Sequence, residues 1–493
     1  MICLKNESIW VEGFGDGNYP KLDSDILVDI LIIGGGMTGI STAYHLRNSN
    51  LKVCLVEGRQ MAMGVSSKTT GKLTFLQDLI YTKLYNKYSF DIAKKYYNSQ
   101  KDAIKLVEKI INDNNIECDY KKVESYLFAS NKEDIAKVVH EKDLLQKMKV
   151  KVYEHADIPH YLLNYYSISV LDTAYFHPVK YLTELTKICV RDGIKVYENT
   201  RILKINKENN QYVCLTDKNK ITAKKVVLAC HYPFFMLPFL FPLKGHLERS
   251  YIGASLVQDN KDISGINTSK STISFRYHND QNKKYLLYLN GSHNLAFKYN
   301  VKDNFNKLLK DLNKINLIPS YIWSNVDIIT NDYLPYIGYI DDNLLIGTGY
   351  NTWGMTNGSL AGKIISDLLL NKNNKYRELF NPERSMPISN LFSTTYDVFS
   401  SAKPFVENKL IKNKSFYSDR VLFIKKDGVD LAIYIDENNK EHIVYNRCPH
   451  LKCSLIFNEV ELTWDCPCHS SRFDIDGKCL KGPSTYDIGY KNN

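Results

Sequence analysis

The sequence lacks an apolar run long enough to cross a membrane or to form a secretory signal. Its first strongly apolar stretch, residues 26–40, carries Asp29 and is interrupted by three consecutive glycines. A membrane-spanning helix needs about 20 predominantly apolar residues, and a signal peptide needs an unbroken apolar core. We therefore expect no integral membrane segment, no export and a cytoplasmic location.

Concentrated charge is missing as well. The 493 residues contain 64 Lys and Arg against 54 Asp and Glu, a formal net charge of +10, and the lysines are scattered. Scattered charge of this size is typical of a solvated surface and does not predict a nucleic-acid partner. Internal repeats are absent too, and the length predicts two to four globular domains.

Eleven cysteines are present, and without an export signal they indicate a reducing compartment in which most remain thiols. Seven follow no pattern and are expected to be small buried or incidental residues. These are Cys3, Cys54, Cys118, Cys189, Cys214, Cys230 and Cys479. The other four lie close together near the C-terminus.

Two of those four cysteines alternate with histidines in a pattern suited to metal binding. The chain reads Cys448-Pro-His450 and later Cys466-Pro-Cys-His469. A Rieske [2Fe–2S] centre needs two thiolates on one iron and two imidazoles on the other, and these two pairs supply them. Four such ligands would also suit a tetrahedral zinc ion, so the ligand types alone leave both metals open.

The surrounding residues resemble the Rieske family and favour iron over zinc. Residues 470–474, Ser-Ser-Arg-Phe-Asp, resemble the family's C-P-C-H-G-S-x-F-D run, and Gly482-Pro483 resembles its proline loop. The resemblance implies one [2Fe–2S] cluster and a disulfide between Cys453 and Cys468 that joins the two ligand loops. The implied ligands are Cys448, His450, Cys466 and His469.

Two positions depart from the family pattern. Lys452 stands where the family usually has glycine between the first histidine and the extra cysteine. Ser470 stands where a glycine usually follows the second histidine. Neither residue replaces a ligand, but both lie where glycine would relax the backbone beside the cluster.

A dinucleotide-binding turn is predicted near the N-terminus. The apolar run 29–33 is typical of a strand buried on both faces of a parallel sheet, and a glycine-rich turn joins it to a helical pattern over 40–46. A second strand, 53–56, ends in Glu57, placed to accept a hydrogen bond from a ribose hydroxyl. The flanking strand and helix disfavour an incidental glycine-rich turn. The predicted contacts are Gly34, Gly36, Met37, Thr38, Gly39 and Glu57.

Further segments resemble the D-amino-acid oxidase-like family of FAD-dependent oxidoreductases. They are the polar run 64–72, the strand and glycine turn 344–350, and the Trp-Gly-Met-Thr-Asn-Gly run 353–358 that leads into a helix over 359–370. A strand over 198–202 is expected to place Ile202 against the adenine. The FAD contacts that the resemblance implies are Ser66, Ser67, Thr69, Thr70, Ile202, Gly349, Gly354, Met355 and Thr356.

These segments predict a fold class and a domain order. We expect an α/β FAD-binding Rossmann-like domain, doubly wound and discontinuous, with an α+β substrate domain and a small all-β Rieske domain. The order resembles a bacterial group of D-amino-acid oxidase-like proteins with a C-terminal Rieske module. The predicted bounds are 1–385 for the oxidoreductase (nucleotide pieces about 26–75, 175–232 and 325–375; substrate part about 76–174 and 233–324), 386–405 for a linker and 406–493 for the Rieske domain.

The two resemblances together imply a redox function. The oxidase family implies oxidation of a C–N bond in a small amine or amino acid, with hydride transfer to FAD. A fused cluster implies one-electron exchange with an unidentified acceptor or donor. The alternatives are an electron-transfer flavoprotein and a redox sensor, neither of which would turn over small amines. The substrate itself is not predicted.

Three polar residues are candidates for the chemistry. Lys72 lies just beyond the flavin-lining run and could tune the flavin electrostatically, although a solvent-facing lysine is an equal alternative. Arg276 and His293 could each hold a substrate carboxylate, although a structural role is favoured for both. His177 and His231 are expected to be structural, and no general base is assigned.

Overall fold

The structure is a computed structural model that describes residues 4–14, 17, 19–155, 158, 162, 164–234, 244–259, 261–269, 272–280, 282–295, 300–384 and 420–490. The predicted linker 386–405 and the first part of the predicted Rieske domain lie outside these residues. Within them, no helix is both long and apolar enough to cross a membrane.

The first sheet is the nucleotide-binding sheet that the N-terminal pattern predicts. Within the described residues it has eight strands, in the order β16-β17-β10-β1-β2-β7 with the β8–β9 hairpin paired to β10. The strands β1, β2, β7, β10 and β17 run parallel, and β1 is buried over its second half because helices and a second layer cover both faces. The bounds are β1 (Ile26–Ile33), β2 (Val53–Val56), β7 (Lys195–Tyr197), β8 (Lys204–Glu208), β9 (Gln211–Leu215), β10 (Lys220–Leu228), β16 (Tyr336–Asp341) and β17 (Leu344–Thr348).

Three helices pack on this sheet, namely α1 (Met37–Leu46), α5 (Pro178–Arg191) and α7 (Gly354–Leu369). Helices α1 and α7 approach closely because α7 carries glycine at the contact. A Cβ atom on Gly362 would lie 2.4 Å from Ser41 Oγ and 2.7 Å from the Ser41 carbonyl carbon. The two helices that frame the predicted nucleotide site are therefore held together by backbone contact.

The second sheet lies over the first and combines residues from both predicted substrate segments. Its order is β15-β11-β14-β13-β12-β4-β6-β3, with β5 paired to β6. Helices α2 (Ile80–Lys87), α3 (Phe90–Asn114), α4 (Ile135–Lys147) and α6 (Val301–Lys314) pack around it, and α8 (Arg377–Phe380) follows α7. The bounds are β3 (Lys72–Leu73), β4 (Lys121–Ala129), β5 (Tyr153–His155), β6 (Tyr166–Tyr175), β11 (Gly245–Leu256), β12 (Ile263–Asn267), β13 (Ile273–Asp280), β14 (Lys283–Asn294) and β15 (Pro319–Thr330).

The C-terminal part is all β, as predicted. It contains a three-stranded sheet and a four-stranded sheet with a shared apolar core around Trp464 and Phe473. Its strands are β18 (Val421–Lys426), β19 (Val429–Ile435), β20 (Glu441–Tyr445), β21 (Ile456–Asn458), β22 (Thr463–Asp465), β23 (Arg472–Phe473) and β24 (Cys479–Lys481).

Buried charges join the C-terminal part to the second sheet. Arg249 Nη2 of β11 lies 2.7 Å from Asp465 Oδ2 of β22, and both side chains are almost completely buried. Arg472 also pairs with Asp465, at 2.9 Å, and with Glu461, at 2.7 Å. The backbone N–H and hydroxyl of Ser324 donate to Glu461 from β15. The C-terminal domain is thus docked through groups that water does not reach.

The fold class predicted from the sequence is confirmed, with two local corrections. Residues 198–202 do not form a strand, because β7 ends at Tyr197 and Asn199 takes a left-handed φ of +50°. Side chains replace the sheet ladder there: Glu198 accepts from the backbone N–H groups of Tyr19 and Met61, at 3.1 and 2.6 Å. Helix α7 also begins at Gly354, earlier than the predicted Ser359.

We expect Gly362→Ala to destabilise the protein, because the methyl group would press on the Ser41 backbone. Overpacking costs about 1–3 kcal/mol, which outweighs the roughly 1 kcal/mol that alanine gains over glycine in a helix. Thermal unfolding would measure the change. Gly64→Ala is the matched control, since a Cβ atom there would meet nothing within 4 Å. Equal or higher stability of Gly362→Ala would contradict the close α1–α7 contact.

Candidate functional site

A cavity of about 470 Å³ lies at the carboxyl ends of the parallel strands, between the two large sheets. Its floor is the glycine turn after β1 and the ends of β10 and β17, and its roof is the exposed face of β11, β14 and β15. Ligands of open α/β sheets bind in such a crevice. The cavity therefore occupies the place that the sequence predicts for a dinucleotide.

The glycine turn has the shape of an anion cradle. Gly36 is the N-cap of α1 without a side-chain cap bond, so the positive end of the helix faces the cavity. A Cβ atom on Gly39 would lie 1.9 Å from the Gly34 carbonyl oxygen, so only glycine allows this turn. Glu57 accepts from the backbone N–H groups of Gly35 and Arg59, at 2.8 and 2.9 Å, and borders the cavity. These residues fit the pyrophosphate and ribose of a dinucleotide.

The structure brings most of the predicted FAD contacts to this one cavity. Those that line it are Gly34, Gly36, Met37, Thr38, Glu57, Ser66, Thr69, Thr70, Ile202, Gly354 and Met355. Four others lie behind the lining: Gly39, Ser67, Gly349 and Thr356. Thr356 Oγ1 is buried and has no hydrogen-bond partner among the described residues. Ser67 Oγ donates to the Gly64 carbonyl oxygen at 2.9 Å.

Lys72 lies in the cavity wall and is buried, which excludes the solvent-facing alternative. Its Nζ donates to Ser274 Oγ at 2.5 Å and to the Gly265 carbonyl oxygen at 3.3 Å, and it sits over the Trp353 ring at 5.4 Å. Burial, with a smaller contribution from the Arg276 charge, lowers the pKa of the Lys72 ammonium to about 7. The charge of this residue is therefore sensitive to pH in the neutral range.

Arg276 and His293 do not line the cavity. The Arg276 guanidinium is completely buried between the rings of Tyr175 and Trp10, 4.2 and 4.9 Å from their centroids. It donates to the carbonyl oxygens of Gly71 and Phe176, each at 3.2 Å, so it holds the turn that precedes Lys72. His293 Nε2 is 3.0 Å from the Tyr251 hydroxyl.

Several cavity residues were not singled out from the sequence. Glu248 and Asp327 are paired across neighbouring strands and both face the cavity, and Tyr232 lines it beside them. Burial raises the pKa of the Asp327 carboxyl to about 6. No local pattern marks these residues, because only the pairing of β11 with β15 brings them together. The C-terminal segment 480–485 also lines the cavity, and its Gly482-Pro483 pair was the one available signal.

The predicted cluster ligands converge in the C-terminal domain. Cys448 and Cys466 are buried thiols in contact with each other, and the rings of His450 and His469 lie 5.1 Å apart. Both histidine Nδ1 atoms are buried without a partner among the described residues, as expected of atoms reserved for a metal. Two thiols and two unpartnered imidazoles on facing loops fit a Rieske [2Fe–2S] cluster.

The disulfide Cys453–Cys468 is present beside this ligand set and joins its two loops. The sulfur atoms of Cys453, Cys466 and Cys468 lie within 4.8 Å of one another. Two of the three are bonded together, which leaves Cys466 as the thiol of that group that could bind a metal.

The two departures from the Rieske pattern have a backbone consequence. Lys452 and Ser470 have left-handed φ values of +62° and +59°. Non-glycine residues pay roughly 1–3 kcal/mol for such conformations. The family's glycines are therefore absent at positions where the backbone still takes the conformation that favours glycine.

Comparisons with known proteins agree with both halves of the site. Residues 29–368 match the family model described as FAD dependent oxidoreductase, and residues 407–489 match that of the Rieske [2Fe-2S] domain. The chain belongs to the FAD-dependent oxidoreductase family. It is an oxidoreductase with a C-terminal Rieske domain, and its cofactors are FAD and a [2Fe–2S] cluster.

Individual relatives extend over most of the chain. YhfW of Bacillus subtilis (strain 168), named for a Rieske 2Fe-2S iron-sulfur protein, is 29% identical over 97% of this chain and 96% of its own. Gamma-glutamylputrescine oxidoreductase of Escherichia coli (strain K12) is 23% identical over 71% of this chain and 85% of its own. The crystal structure of glycine oxidase from Geobacillus kaustophilus shares the fold, with a TM-score of 0.61, 17% identity, and coverage of 73% of this chain and 100% of that one.

We expect His469→Ala to abolish cluster assembly while FAD stays bound, because the glycine turn and Glu57 lie outside the C-terminal domain. Iron, sulfide and flavin assays with the EPR spectrum of the reduced protein would measure both cofactors. His442→Asn is the matched control, since His442 bonds to Asp476 at 2.7 Å and is not a ligand. Loss of flavin together with the cluster would show that the two cofactor sites do not form independently.

Proposed function

We propose that the protein oxidises a C–N bond of a small amine or amino acid by hydride transfer to FAD, with one-electron transfer through its Rieske cluster. The single observation that supports it best is the shared cavity. One cavity is bounded by the glycine turn, by the second sheet and by residues 480–485 of the Rieske domain. The predicted flavin site and the cluster domain therefore border the same cavity, in which a small substrate would also lie.

The cofactors define the chemistry that the residues must support. Bound FAD supplies a two-electron hydride acceptor, and a histidine-ligated cluster supplies a one-electron site with a potential of roughly −150 to +300 mV. The polypeptide contributes binding, orientation and exclusion of water.

The roof of the cavity is suited to hold a small polar molecule. Ser250, Ile252 and Leu289 face it from adjacent strands, and Glu248 and Asp327 supply carboxylates at one end. Burial raises the pKa of both carboxyl groups, so their charge responds to a cationic ligand. An amine fits this end through its positive charge. A concave cavity between two sheets favours a small substrate over a partner protein, which is the alternative that an electron-transfer flavoprotein would require.

Amine turnover tests this function directly. We expect anaerobic mixing with one or more small amines or amino acids to bleach the oxidised flavin absorbance, and deuterium on the reacting carbon to slow it. Gly36→Val is the control, since a side chain there would press on Ser66 Oγ, already 3.1 Å from an added Cβ atom, and block FAD binding. An unbleached flavin across a broad panel of primary and secondary amines would rule the proposal out.

Lys72 gives the flavin a pH dependence that can be measured without substrate. Since the pKa of Lys72 is lowered to about 7, its ammonium is charged below that pH and neutral above it. A positive charge beside the flavin favours the electron-rich reduced form, so the flavin midpoint potential should be higher below pH 7 and drop as the pH rises through it. Lys72→Met should remove this step. Lys302→Met, an exposed lysine of α6, should keep it, and a step that survives in Lys72→Met would exclude Lys72 as its source.

A further inference from the structure

The Rieske domain is anchored beside the flavin cavity by contacts to the nucleotide-binding domain. Arg59 Nη1 donates to the Leu480 carbonyl oxygen at 2.7 Å, and Arg201 Nη2 donates to the Cys479 carbonyl oxygen at 2.8 Å. Lys481 Nζ reaches the Val326 carbonyl oxygen at 3.4 Å. Together with the buried Arg249–Asp465 pair, these contacts fix residues 479–485 against the cavity wall.

One aromatic side chain spans the space between the cavity and the cluster ligands. Tyr232, directly after β10 and its short turn, is 8% exposed and lines the cavity. Its ring centroid lies 5.0 Å from that of His469, whose side chain is likewise 8% exposed. The cavity and the inner cluster ligand are therefore separated by a single ring.

The second histidine ligand lies on a different side. His450 is only half-buried, its neighbours Pro449 and Leu451 are half-buried as well, and Lys452 is exposed. The two imidazoles therefore lie in different environments. His469 points to the interior of the protein and His450 lies near solvent.

We propose that Tyr232 is the contact through which electrons pass between the flavin cavity and the cluster at His469. This inference rests on the proposed function for the source of the electrons. Oxidation of one substrate amine to its imine would release two electrons and two protons. Bound FAD would accept the electron pair, the cluster would pass it on one electron at a time to an external one-electron acceptor, and the protons would go to solvent.

The contacts described above hold the Rieske domain in one position beside the cavity, an arrangement that we call a fixed junction. A domain that left this position would have to break the buried Arg249–Asp465 pair and also the hydrogen bonds that Arg59 and Arg201 donate to the backbone of residues 479–480 in each cycle. Transfer within a docked domain depends on neither protein concentration nor solvent viscosity. Transfer limited by domain motion slows as viscosity rises.

The experiment uses full-length protein loaded with both cofactors and a photochemical reductant in place of an amine. After a light flash reduces the flavin, the reduction of the cluster is followed by absorbance, and the product is checked by EPR. In the unaltered protein we expect a fast phase whose rate is unchanged by protein concentration or by added glycerol. A rate that rises with protein concentration or falls with viscosity would overturn the fixed junction, and this arm needs no variant.

Substitutions then test the ring itself. Tyr232→Phe keeps the ring and should keep the fast phase, whereas Tyr232→Leu should lose it while FAD content and the EPR spectrum of the chemically reduced cluster stay normal. Tyr165→Leu, at a residue 51% exposed, is the matched control. An unchanged fast phase in Tyr232→Leu would overturn the role of Tyr232. Because light replaces the amine as the source of electrons, this experiment tests the role of Tyr232 even if the amine screen finds no substrate.

Discussion

The arrangement of the two cofactor sites depends on one buried cluster of charges. Arg249, Arg472, Asp465 and Glu461 meet between the second sheet and the Rieske domain, and all four side chains are at most 7% exposed. Water cannot compensate a charge at such a place, so each group needs its partners in a fixed geometry. Such a cluster adds little stability over a well-packed apolar contact. Its effect is to allow one docked position, and that position brings residues 480–485 to the flavin cavity.

The sequence was sufficient for the features that depend on local spacing. The strand, glycine turn and helix at 29–46 predicted the nucleotide turn, because Gly34 and Gly39 there meet backbone atoms that leave no room for a side chain. The four predicted ligands of the cluster come from two short segments, and the structure brings these segments together. In both cases the chemistry is carried by residues close together in the chain.

The parts that sequence reasoning missed depend on long-range pairing. Glu248 and Asp327 become neighbours only when β11 pairs with β15, and Tyr232 approaches His469 only when the domains dock. The error at residues 198–202 has a related cause. The family resemblance implied a strand, but in place of a sheet ladder the Glu198 carboxylate accepts hydrogen bonds from the distant backbone N–H groups of Tyr19 and Met61. Arg276 is a further case. The sequence offered it as a candidate for binding a substrate carboxylate, but its guanidinium lies between two aromatic rings.

The cavity wall brings these effects together. Lys72 and Lys481 both line it, one from the oxidoreductase and one from the Rieske domain, and burial lowers the pKa of each ammonium to about 7. Burial acts on Asp327 in the opposite direction and raises the pKa of its carboxyl. All three groups are thereby moved toward neutrality, because a low-dielectric wall disfavours charge of either sign, and the attraction between Lys481 and Asp327 offsets only part of this effect. A bound ion would favour the charged form of an oppositely charged group that it faces. Since Lys481 belongs to the Rieske domain, docking of that domain adds one of these groups to the cavity wall.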